Sequence, residues 1–111
     1  MALPIYICRT ESPSTASENP ISLDEWKRLV LDIPQMHLYE GEEALPDYID
    51  PPEPSEGLAR WAGHPRADVI WFYYRDGAIC VEGYDAYVLG RMRGIASRIG
   101  ARVMGADGRF M

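Results

Sequence analysis

Few residues in this chain of 111 are of types that do chemistry: His37 and His64, Cys8 and Cys80, and the nearby carboxylates Glu82 and Asp85. A structural or catalytic metal needs His, Cys or carboxylate ligands at set spacings. Neither histidine has a second His or Cys at such a spacing, so each reads as structural or solvent-exposed, and no metal or cofactor is expected. Glu82 and Asp85 could act as an acid–base pair. Each also has a simpler role, Glu82 as a polar cross-strand partner and Asp85 as a helix cap. The cysteines lie in apolar, strand-like segments and read as buried free thiols; a disulfide would need their strands to be neighbours in suitable geometry. Gly90, Gly94 and Gly100 sit within or after a helical pattern rather than between strand and helix, which is the wrong place for a phosphate loop. With no nucleophile elbow either, the chain reads as a non-enzyme.

Charge carries more information. Residues 40–56 hold seven carboxylates (Glu40, Glu42, Glu43, Asp47, Asp50, Glu53, Glu56), no Lys or Arg, and four prolines. Residues 1–56 have twelve acids and three bases, a net of −9, whereas residues 57–111 have five acids and eight bases, a net of +3. The stretch is either a solvated excursion that keeps the protein dispersed or a surface that steers a cationic partner. Nucleic acid and anionic membrane are disfavoured as partners, because their phosphates would be repelled. Arg91, Arg98 and Arg102 are expected near one another on a helix face. That row could bind phosphate, or it is the solvated side of an amphipathic helix; it lacks the interleaved aromatics that single-strand binding uses.

The elements that must position these groups are partly legible. Leu3–Cys8 is a short β-rich run, and Thr10–Pro20 reads as a linker. Ser22 and Glu25 form a capping box, Ile21 and Trp26 the matching staple, and Pro34 ends the apolar period, predicting a helix over 22–32. Gln35–Tyr39 alternates like a short strand, and Leu58–Gly63 reads as a short strand or turn anchored by Trp61. Asp76-Gly77 between two apolar runs predicts a type I′ hairpin with Tyr74 facing Ile79 and Tyr73 facing Cys80. One face then carries Ile70, Phe72, Tyr74, Ile79 and Val81, and the other Trp71, Tyr73, Arg75, Cys80 and Glu82. Trp71, Tyr73 and Glu82 would make an aromatic–acidic patch, unless the long loop or Trp61 folds over them as a second small core. Asp85 caps a second helix to about Ile99, with Gly100 beyond it; Gly90 and Gly94 would return close helix–sheet packing. A strand at Arg102–Met104 and a turn at Asp107-Gly108 finish the chain. The expected fold is one α+β domain over 1–111, β-α-β-loop-β-β-α-β, a mostly antiparallel sheet with two helices on one face. Met1–Cys8 is too short and uncharged for a signal peptide and no apolar run reaches transmembrane length, so the expected compartment is the cytoplasm.

Two segments carry a resemblance: Pro20-Ile21-Ser22-Leu23-Asp24-Glu25-Trp26, and Ile95-Ala96 through Gly100-Ala101-Arg102-Val103 to Gly105 and Asp107-Gly108. In these the chain is similar to small acidic bacterial orphan immunity proteins, encoded beside polymorphic toxins of contact-dependent and type VI secretion systems. The resemblance implies a protein that acts by binding a cognate toxin domain, and a basic toxin would fit the acidic charge. It transfers no active-site residue, and every matched position also has a folding role. The expected partner-binding set is the seven acids of 40–56 with Tyr48, Trp71 and Tyr73 as anchors. Two rival readings stand beside it: a small-molecule or enzymatic site on the Trp71–Tyr73–Glu82 face, and a structural or regulatory subunit that homodimerises through an open sheet edge.

Overall fold

A computed structural model describes residues 4–39, 57–66, 69–83 and 85–111. Among these residues six strands form one sheet: β1 (Pro4–Cys8), β2 (Met36–Leu38), β3 (Ala59–Trp61), β4 (Ile70–Arg75), β5 (Ala78–Glu82) and β6 (Arg102–Gly105). Their spatial order is β2-β3-β4-β5-β1-β6, and each neighbouring pair is antiparallel. Two α-helices join them, α1 (Leu23–Asp32) between β1 and β2 and α2 (Ala86–Arg98) between β5 and β6. The fold is therefore α+β.

Following the antiparallel pairings through the sheet, β1 runs parallel to β2 and β5 parallel to β6. Each helix is thus a crossover between parallel strands. The two crossovers travel toward opposite edges from oppositely directed strands, and a half-turn about the sheet normal superimposes one on the other. A shared right-handed sense then places both helices on the same face. The core agrees: Trp26, Leu29 and Val30 of α1 and Val88, Met92 and Ile95 of α2 pack with Ile5, Ile7, Phe72, Ile79, Val81 and Val103 from the sheet.

The helix ends behave as their residues require. Ser22 Oγ accepts the backbone N–H of Glu25 at 3.1 Å, and the staple residues Ile21 and Trp26 are fully buried. Asp85 Oδ1 accepts the N–H groups of Tyr87 and Val88, both at 3.0 Å, and Gly100 takes a left-handed φ of 65° beyond the C-terminus of α2. The hairpin has the expected register, Tyr74 opposite Ile79 and Tyr73 opposite Cys80, with positive φ at Asp76 and Gly77 as a type I′ turn demands. Its tip is anchored, since the Ile21 N–H donates to Gly77 O at 2.9 Å.

Several expectations change. Leu58–Gly63, read as a short strand or turn, holds the three-residue strand β3, but Trp61 lies on the helix-covered face rather than over Trp71. Pro13–Glu18 of the supposed linker is a 3-10 helix; Ala16 seals Cys8, Ala78 and Met104 on the other face of the sheet. Gly90 and Gly94 do not bring α2 close to the sheet. Both are exposed, and a Cβ at either would meet nothing within 4 Å. The arginine row is dispersed: Arg91 lies over Trp61, Arg98 pairs with Asp32 at 3.6 Å, and Arg102 opposes Cys8 on the face away from α1 and α2, over Phe110. Among the described residues no helix is long and apolar enough to cross a membrane.

Candidate functional site

The acid-rich segment, with Glu40, Glu42, Glu43, Asp47, Tyr48, Asp50, Glu53 and Glu56, lies outside the described residues. Its two roots do not. Leu38 pairs with Ala59, and the Tyr39 N–H donates to Leu58 O at 2.8 Å, so the residues that bracket 40–56 stand side by side on adjacent strands. On the returning side, Trp26 Nε1–H donates to Gly57 O at 2.7 Å. Gly57 has φ 82°, and a Cβ there would sit 2.6 Å from Tyr74 Cβ, so only glycine allows this close approach to the core. On the departing side, Tyr39 packs edge-on against Trp71, ring centroids 5.9 Å apart.

Trp71 itself is 6% exposed and lies in a small second core with Leu58, Tyr39, Val69 and Tyr73. It is a foundation for the root of the segment and not an exposed anchor. Tyr73 and Glu82 are brought together as the hairpin register required, the phenol donating to Glu82 Oε1 at 2.7 Å and accepting from Cys80 Sγ at 3.1 Å. Burial, reinforced by these bonds, pushes the Tyr73 phenol far above its ordinary range. The patch is therefore internally satisfied. Cys8 and Cys80 lie on neighbouring strands, yet both are free. Tyr6 is the residue opposite Cys80, which sets Cys8 on the diagonal. Diagonal positions are ~7–8 Å apart, beyond disulfide reach. Burial pushes both thiols up to about 11, so neither is a nucleophile at neutral pH.

A second constellation forms where α2 starts. His64 is 8% exposed; its Nδ1 accepts the Arg66 backbone N–H at 2.9 Å, and its Nε2 lies 2.6 Å from Asp85 Oδ2. An accepting Nδ1 places the ring proton on Nε2, donated to Asp85. Both nitrogens are thus committed to holding the β3–β4 connection on the α2 cap. The two N–H groups of the helix start and the His64 bond together hold the Asp85 carboxyl below the usual carboxylate range. Both residues have structural work, and Glu82 accepts from the Tyr73 hydroxyl. No group of three or more metal-ligating side chains converges among the described residues.

Next to this lock, Trp61, Gly63, Pro65, Tyr87, Gly90 and Arg91 line an open cleft of about 400 Å³. Sequence reasoning missed it. The available signal was the pair of mid-helix glycines, which no packing contact explains. No protein-family model matches the chain, and no curated protein or solved structure is similar to it.

Proposed function

We propose that this chain is a non-catalytic binding protein that neutralises a cognate bacterial toxin by covering its active site. The observation that carries this reading is the anchoring of the acid-only segment. Its roots are hydrogen-bonded neighbours, backed by Trp71 on one side and by Trp26 on the other. In sequence, the seven carboxylates and Tyr48 of 40–56 lie between these two neighbouring roots. Charge concentrated in this way raises encounter rates with a basic surface and selects partners by sign. Tyr48 serves as the aromatic contact; Tyr73, half-buried and bonded to Glu82, contributes at the margin.

The rival sites have less room. A ligand on the Trp71–Tyr73–Glu82 face would have to displace a packed indole and break the Tyr73–Glu82 bond. Strand pairing through β6 would compete with the chain's own C-terminal segment, whose Met111 N–H donates to Val103 O while Gly105 N–H donates to Arg109 O, both at 2.9 Å.

The test is kinetic. Replacing the seven acids by Asn or Gln should slow association with the toxin domain recovered by pull-down from the native host. It should also flatten the salt dependence of that rate, with the unfolding midpoint little changed. Equal association rates for both versions across ionic strengths, or full toxin activity on co-expression with the native chain, would sink the reading.

A further inference from the structure

The cleft at the start of α2 combines features that internal packing does not account for. Arg91 holds its guanidinium 5.3 Å from the Trp61 ring centroid. No carboxylate or carbonyl among the described residues satisfies it. Arg9, Arg98 and Arg93 have such partners in Glu25, Asp32 and Met111 O, whereas Arg75 and Arg102, like Arg91, lie over aromatic rings; what distinguishes Arg91 is the open cleft beside it. Arg91 is also the only charged side chain among the described residues that line the cleft, in a chain of net charge −6.

Trp61 adds an unfilled demand. It is 4% exposed, and its Nε1–H has no acceptor, in contrast to Trp26, whose indole N–H is satisfied by Gly57 O. A buried donor left without an acceptor is unfavourable. Gly63 packs closely on the indole, where a Cβ would come within 2.5 Å of Trp61 Nε1, whereas Gly90 keeps the α2 side of the cleft open in mid-helix, where glycine is otherwise unfavourable. Tyr87, 49% exposed, presents a ring held edge-on against His64 with centroids 5.3 Å apart. His64 is in turn fixed by Arg66 and Asp85.

We propose that this cleft binds a small planar carboxylate, its anionic end on the Arg91 guanidinium and its flat apolar part against the Tyr87 ring. A guanidinium fork matches the two oxygens of a carboxylate, and the Trp61 ring beneath the guanidinium makes its indole signal a reporter of occupancy. A cleft of about 400 Å³ suits a ligand of one or two rings. The inference is independent of the toxin reading, since it uses no residue of 40–56.

The experiment is a titration of the ¹⁵N-labelled full chain with benzoate, following the indole N–H signals assigned by Trp61→Phe. Benzamide serves as the uncharged isostere and inorganic phosphate as the non-planar anion. Benzoate should shift the Trp61 signal saturably, and benzamide and phosphate should do so much more weakly. Arg91→Gln should weaken benzoate binding about tenfold or more, the loss of a charge-assisted pair, whereas Arg93→Gln on the same helix should leave it unchanged. Gly90→Leu provides a second variant whose side chain enters free space, so the fold is kept while the cleft is filled and binding is lost. No saturable shift, the same curve for Arg91→Gln, or a curve for Gly90→Leu like the parent's would overturn the proposal. Benzamide or phosphate binding as tightly as benzoate would overturn it equally, by removing the need for charge or for the ring.

Discussion

Arg9 shows how one side chain can tie together distant parts of the chain. From the end of β1 it donates to Ile99 O at 3.0 Å and to Pro20 O at 3.5 Å, and it pairs with the Glu25 carboxylate in the first turn of α1. The Arg9 guanidinium, helped by the Ser22 backbone N–H, holds the Glu25 carboxyl below its usual range. A carboxylate whose folded pKa is depressed stabilises the fold fully above its unfolded pKa, and that stabilisation is lost as pH falls through the folded value. Asp85 has the same sign. The urea midpoint should therefore drop on acidification below about pH 4. Glu25→Gln should lower the midpoint at neutral pH and flatten this acid limb. An acid limb identical to that of the parent would show that Glu25 contributes nothing to it.

At the scale of elements, glycines separate positions that the fold requires from positions it merely tolerates. Gly94 is exposed in the middle of α2 with open space where a Cβ would go, so Gly94→Ala should raise stability by about 1 kcal/mol in chemical denaturation. Gly77 is the opposite case. It has φ 87° at the hairpin tip, and a Cβ would lie 2.6 Å from Pro20 Cβ. Gly77→Ala should cost about 1–3 kcal/mol, through left-handed strain and the clash with the segment that leads into α1. The helix starts and the hairpin were legible because their determinants are local: Ser22 and Glu25 within one turn, Asp85 before an apolar period, Asp76-Gly77 between two strands. Strand β3 was only half legible, because three residues bearing a single large apolar side chain look alike as strand or turn until β2 and β4 flank them.

For the whole molecule, the two crossovers bury one sheet face under α1 and α2, while the short 3-10 helix and the Leu58–Trp71 cluster cover parts of the other. Cys8 and Cys80 are sealed in this second layer, 0% and 2% exposed. Alkylation of either thiol in the native protein should therefore be slow at neutral pH and should track the opening equilibrium as denaturant is added; rapid labelling in buffer would contradict the packing. The sequence by itself determined the fold class, the helix caps, the hairpin register and the acid-only composition of 40–56, since each depends on residues close in the chain or on counting charges. Only the tertiary structure decided which groups meet across the chain. It set Tyr39 against Trp71 at the root of the acid-rich segment, and locked His64 onto Asp85. It scattered the three arginines that the helical period had grouped, and left Arg91 over Trp61 beside an open cleft. Such meetings depend on strand order and crossover direction, which no local spacing encodes.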